Sequence, residues 1–295
     1  LNQQTEQLSP LSSRPAYTET ENELTVKANK RTFIFSKKDG QLKGVSVDNR
    51  KINFANGPRF IGARRADRSL DQFYNHDDEK AKEKDRTYSE FPDAAVFTKL
   101  DVKEDGGNLV VTANYKLGNL DKSQWTINPS GDLALDYTYN FSGVVDLMGI
   151  RFDYPEDQVI SKRWLGAGPY RVWQNRIHGT QYDVWENDYN DPIPGETFTY
   201  PEFKGYFGNV SWMNIQTKEG TISLTNETPD AYIGVYQPRD GRDRLLYTLP
   251  ESGISVLNVI PPVRNKVNST DLCGPSSQPK WVNGPQTGRV IFRFM

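Results

Sequence analysis

The sequence predicts an all-β fold, a large antiparallel twisted β-sandwich, and three observations carry that reading. Apolar residues alternate with polar ones at Leu133, Leu135, Tyr137, Tyr139 and Phe141, the period of a half-buried strand. Turn-forming groups at Asp39-Gly40, Asp105-Gly-Gly-Asn108, Asn128-Pro-Ser-Gly131 and Lys218-Glu-Gly220 punctuate the chain at hairpin spacing. No stretch of about twelve residues keeps an amphipathic helical period. Short strands with turns at this density stack as antiparallel sheets.

Residues 1–22 are rich in Gln, Ser, Thr, Glu and Pro and read as a linker or extended lead-in. Leu24, Val26 and Ala28 alternate, then Phe33 and Phe35, and after the Asp39-Gly40 turn Val45 and Val47. Gly57-Pro-Arg-Phe60 opens a charged, irregular stretch over 63–93 that reads as a solvated loop. Strands resume over Leu100–Glu104, Leu109–Tyr115, Trp125–Ile127 and Leu133–Phe141. The C-terminal third predicts strands at Val210–Ile215, Ile222–Leu224, Ile233–Tyr236, Leu245–Thr248, Ser255–Ile260 and Arg289–Phe294. Residues 273–285 read as a Pro/Gly/Ser-rich loop before the last of these. No repeat and no composition break follows residue 22, so 23–295 is expected to be one domain.

The 295 residues are ample to bury a core. A net charge of −2 supplies no basic field for nucleic acid or an anionic membrane surface. No apolar run reaches the length of a membrane span, and no secretory leader is recognisable. The lone Cys273 allows neither an internal disulfide nor a cysteine metal cluster.

The most informative stretch runs from Trp164 to Gly179, followed by Asp183-Val-Trp185 and Tyr189. It reads as a buried strand, a sharp Gly166-x-Gly168-Pro169 turn and an aromatic-rich loop. It resembles a signature of the C-terminal domain of family 2 glycoside hydrolases of the large β-galactosidase type, Trp-x-Gly-x-Gly-Pro-x-x-x-Tyr-x-Asp-Arg. Trp164, Gly166, Gly168, Pro169 and Arg176 match it. Trp173 stands for the Tyr, Asn175 for the Asp, and Arg171 where an acidic residue is usual. Pro201-Glu202, Gly205 and Val210-Ser-Trp212 resemble the next block of that family, and Arg64 to Asp78 resembles its Arg-then-acidic loop. The resemblance covers residues 23–295. It implies a sandwich of the kind seen in galactose mutarotases, with both catalytic glutamates upstream in a TIM barrel of the same polypeptide. The catalytic pair of a retaining glycosidase is therefore expected to be missing from this chain. A periplasmic or secreted setting follows only from that resemblance.

The candidate carbohydrate-binding residues are Trp281, Trp173, Trp185, Arg171 and Tyr189, for a galactoside or related saccharide. Rings dock the apolar faces of sugars and polar groups hold the hydroxyls. Trp164 and Trp212, on strands, read instead as core. The resemblance places a tryptophan before the final strand against the sugar pocket of the barrel, and Trp281 has that placement. Of the two histidines, His178 lies near acidic residues and is the candidate acid/base of an alternative, mutarotase-like epimerase. A free carbohydrate-binding module is the other alternative. Arg171 and Arg176, flanking Asn175, are expected to order the loop through carboxylates. No metal site is assigned: His76-Asp77-Asp78 lacks a ligand pattern, and Asp188-Tyr-Asn190-Asp191 lacks the Gly and closing Glu of a calcium loop. No cofactor motif is present.

Overall fold

The computed structural model describes residues 14–65, 88–196, 203–238, 249–263 and 275–295. Two antiparallel sheets face each other. The first runs β1 (Ala16–Glu19), β2 (Glu23–Ala28), β3 (Arg31–Ser36), β4 (Leu42–Val47), β6 (Ala55–Arg65), β12 (Leu147–Asp153), β18 (Ile254–Val259) and β17 (Tyr232–Gly234). β5 (Arg50–Ile52) joins β4, and β7 (Tyr88–Glu90) joins β6. The second runs β14 (Gln181–Asp188), β13 (Val159–Gly168), β15 (Trp212–Thr217), β16 (Gly220–Asn226), β19 (Lys280–Phe294), β11 (Leu133–Val145), β10 (Leu120–Ile127), β9 (Asn108–Lys116) and β8 (Val96–Asp105). Among the described residues there is no α-helix, and the predicted all-β sandwich is the fold observed.

The alternation in β11 does what its period requires. Leu133, Leu135, Tyr137, Tyr139 and Phe141 are all buried, and the residues between them face out. The sheets are joined by aromatic rings from both sides. Phe54 and Phe152 of the first sheet stack at 4.7 Å, and Phe54 meets Phe292 and Phe294 of β19 at 4.9 and 5.2 Å. Trp125 on β10, fully buried, lies 6.0 Å from both Phe35 and Phe152. Each ring buried this way contributes roughly 1.5–3 kcal/mol.

Three expectations change. The end of the lead-in, Ala16–Glu19, is an exposed edge strand on β2. The stretch expected to be loop between Gly168 and Tyr189 contains β14, an edge strand whose exposed residues show no apolar alternation to read. The last strand begins at Lys280 rather than Arg289, so Trp281 sits on β19 and not on a loop before it. Pro285 is tolerated there because β16 pairs with β19 only from Val290 to Phe294, which leaves one edge of the earlier residues without a strand. His76, Asp77, Asp78, Cys273, the Pro201-Glu202 block and the Leu245–Thr248 strand lie outside the described residues.

Candidate functional site

The signature is a hairpin hollowed out for one indole. Trp164, 1% exposed, packs edge-on against Phe207 at 5.0 Å, and its indole nitrogen donates to the Ala167 carbonyl at 3.2 Å. Trp185 pairs directly opposite it on β14. The Trp185 indole lies back along β13, donating to the Gly166 carbonyl at 3.2 Å. A Cβ at position 168 would stand 2.5 Å from that ring, and one at position 166 would stand 3.0 Å from the Asn209 carbonyl and Val210. The two glycines of the motif are therefore space for neighbours. Trp185 itself is half-buried against the core, which leaves only part of its ring to a ligand.

Beyond the cis Gly168-Pro169 bond the chain turns inward. Val172 and Tyr206 exchange backbone hydrogen bonds of 2.7 and 2.8 Å, so close that Gly205 has no room for a Cβ. Trp173 follows, 2% exposed and edge-on to Tyr206 at 5.8 Å, within a second apolar cluster that includes Ile61, Leu147 and Leu257. Its ring offers no face to a sugar, because hydrophobic burial has claimed it. Arg171 is equally withdrawn at 2% exposure. Its Nη2 donates to the Asn190 side chain and carbonyl at 2.9 and 3.2 Å, and its guanidinium stacks over Tyr236 at 5.0 Å. Burial pushes its pKa down to about 10. An amide and aromatic rings, rather than a carboxylate, thus order this arginine. Arg176 is exposed and lies over Phe203 at 4.9 Å.

Gln174, which carries no signal in the sequence, and Asn175, which stands for the motif's Asp, fasten this loop. Gln174 Nε2 donates to the carbonyls of Ser276 and Gln278 at 3.0 and 2.7 Å. Asn175 both donates to the Val263 carbonyl at 3.0 Å and accepts from its amide at 2.9 Å. An ionised Asp accepts only, so the Asn in the motif's acidic position matches its work here. The signature loop thereby holds the segment that leads directly into Trp281. Trp281 is 71% exposed, opposite Val144 on the outer face of β19.

The other candidates lie apart from Trp281 in the contacts they make. Tyr189, 42% exposed, donates to Glu156 Oε1 at 3.0 Å and stands edge-on to Tyr236 at 5.6 Å. His178 is in the exposed part of the loop, where its backbone carbonyl accepts from the Tyr170 hydroxyl at 2.6 Å.

Lys162 carries no sequence signal and is 1% exposed. Its Nζ donates to the carbonyls of Asp188 and Asp191 at 2.5 and 3.4 Å and sits 5.0 Å from the Tyr236 ring centre. The Lys162 amino group thus occupies the inner side of the turn weighed as a calcium loop. Among the described residues no group of three His, Cys, Asp or Glu side chains is placed to hold a metal. Burial, with Arg171 adding to it, pushes the Lys162 pKa down to about 6. An unfolded lysine titrates near 10.4. Between those values the unfolded chain holds a proton the folded chain has released, so stability rises with pH by up to about 1.4 kcal/mol per unit. Urea unfolding at a series of pH values should show wild type gaining on Lys162→Met as pH rises through this window. A difference that does not change with pH would contradict the buried placement.

No curated protein sequence matches the chain. Among solved structures, galactose 1-epimerase from Lactobacillus acidophilus NCFM is similar at 10% identity and a TM-score of 0.48, over 96% of this chain and 99% of that one. A putative aldose 1-epimerase from Escherichia coli K12 is similar at 12% identity and a TM-score of 0.43, over 95% and 99%. Likenesses this distant do not bear on what the chain does. The family model described as β-galactosidase small chain matches residues 27–262, most of the chain and all of the signature hairpin. The chain belongs to the β-galactosidase small chain family.

Proposed function

We propose that the chain is an accessory domain of a β-galactosidase-like glycoside hydrolase. It packs against the catalytic barrel of the same polypeptide and lends Trp281 to the wall of the galactoside site. The observation that carries this reading is Trp281 itself, a large indole 71% exposed at the start of β19. The carbonyl clamp of Gln174 on Ser276 and Gln278 fixes the approach to this ring, and a ring held in place loses less freedom on binding than a mobile one. Val144 beside it widens the apolar surface. Of the other sequence candidates, Tyr189 and the free part of Trp185 stay available to a ligand, and Arg171 and Trp173 serve the loop's interior.

On this reading the isolated chain neither cleaves nor mutarotates sugars. Proton NMR of freshly dissolved α-galactose and of lactose, with and without the chain, checks it. The expected result is anomeric exchange and glucose release at the blank rates. Accelerated mutarotation that disappears in His178→Ala would establish the epimerase instead. Lactose cleavage would place catalytic carboxylates within this chain.

A further inference from the structure

The two edges of the second sheet carry different charge. β14, at one edge, has Asp183, Glu186 and Asp188 and no basic residue, so a second copy of it laid alongside would meet like charge. β8, at the other edge, is 10 residues long and exposed or half-buried throughout. Among the described residues its strand partner is β9 alone, which leaves a row of backbone groups facing outward. The register shift in β8 falls between Phe97 and Lys99, so Lys99–Asp105 runs without a bulge, and it contains no proline. Bulges and prolines are common guards of an exposed edge, and this stretch has neither.

Pairing with β9 fixes which way each residue faces. Leu109 and Val111 of β9 are core, so Leu100, Val102 and Glu104 face inward, and Lys99, Asp101, Lys103 and Asp105 face out. The outer row alternates in sign, and it is joined along the strand by Lys99–Asp101 at 2.8 Å and Lys103–Asp105 at 3.8 Å. The hairpin also fixes the free backbone groups. Asp105 and Asn108 close a two-residue loop of Gly106 and Gly107, both at positive φ. A closing pair of this kind exchanges its hydrogen bonds, and bonded and non-bonded pairs alternate from there. Asp101 and Lys103 therefore bond to β9, while the N–H and C=O groups of Leu100, Val102 and Glu104 point off the edge.

A second copy of the chain fits this edge in one antiparallel register. The free groups of 100, 102 and 104 must face their own counterparts, which also sets the charged row against itself. Centred on Asp101 or Lys103, the pairing puts like charge on like. Centred on Leu100 or Glu104, it runs into the bulge or the turn. Centred on Val102, it sets Lys99 opposite the second copy's Asp105, and Asp101 opposite the second copy's Lys103. Each pair then recurs across the two-fold axis. We propose that β8 is a homodimerisation edge, pairing antiparallel about Val102 to join two second sheets into one. Backbone hydrogen bonds supply the affinity and the alternating charges choose partner and register. A single strand edge buries less than a standard interface, so the dimer is reversible and concentration-dependent. Trp281 is separated from this edge by β11, β10 and β9 and stays open, so the pairing is independent of the accessory reading.

The test is sedimentation equilibrium of the chain from micromolar to millimolar concentration. The expected result is a monomer–dimer equilibrium that weakens as salt rises from about 0.1 to about 1 M, where the screening length falls from about 10 to about 3 Å. The acidic variant Lys99→Asp/Lys103→Asp and the basic variant Asp101→Lys/Asp105→Lys should each lose about tenfold or more in dimer affinity. Their equimolar mixture should recover a heterodimer. All four side chains face solvent, so both variants should keep the circular dichroism spectrum of wild type. Glu104→Pro removes an N–H that points off the edge, and it should abolish dimerisation without opening the hairpin. A monomer at every concentration, a dimer that survives these substitutions, or folded charge variants that fail to pair when mixed would overturn the proposal. The kinetics of the complete enzyme decide the accessory role separately.

Discussion

Gly205→Ala should destabilise the chain by about 3 kcal/mol, at the upper end of what overpacking costs. The added Cβ would stand 2.0 Å from the Val172 carbonyl oxygen and 2.6 Å from its carbon. Both are backbone atoms, so no side chain can swing aside. Relief requires opening the two hydrogen bonds between Val172 and Tyr206, which are the inner anchor of the signature loop. Urea unfolding should report the loss as a lowered midpoint. Hydrogen exchange should show the amides of Val172 and Tyr206 among the first to lose protection. A variant as stable as wild type would mean that the loop does not approach the 203–207 segment as described.

Trp173→Ala should cost more, about 3–5 kcal/mol, the usual range for removing a large aromatic from a core. Its ring is 2% exposed and fills the second apolar cluster, where it packs with Ile61, Leu147 and Leu257 of the first sheet and against Tyr206. The family pattern has Tyr here, and the conservative variant Trp173→Phe should recover most of the loss, as a volume effect predicts. Saccharide affinity of the folded Trp173→Phe chain should equal that of wild type. A selective loss of affinity with stability intact would return Trp173 to the binding surface.

How much of this was legible depends on which force wrote each residue. Alternation in β11 and the turns at Asp39-Gly40 and Asn128–Gly131 are local and could be read directly, because one face of each strand is dry. The matching motif residues could be found, although their reasons could not. Gly166 and Gly168 look like turn glycines, yet Gly168 is cut away for Trp185, seventeen residues later, and Gly166 for the backbone at Asn209 and Val210, neighbours brought there only by the tertiary fold. Lys162 reads as a solvated charge by residue type, and Arg171 as a ligand for a sugar or a carboxylate. Only tertiary packing shows them buried around Tyr236, Arg171 bonded to Asn190 and Lys162 to the carbonyls of Asp188 and Asp191. β14 stayed hidden because an exposed edge strand needs no apolar face. The extent of β19 stayed hidden because Pro285 normally argues against a strand, and its tolerance depends on where β16 stops.

The central claim is that this chain completes a sugar site on a catalytic domain through Trp281. The most direct measurement compares kcat/KM for lactose between the complete enzyme and its Trp281→Ala and Trp281→Phe variants. Stacking of a buried ring on a sugar face is worth roughly 2 kcal/mol, so Trp281→Ala should lower kcat/KM about 30-fold while Trp281→Phe keeps most of it. Unchanged kinetics in a folded Trp281→Ala enzyme would contradict the account.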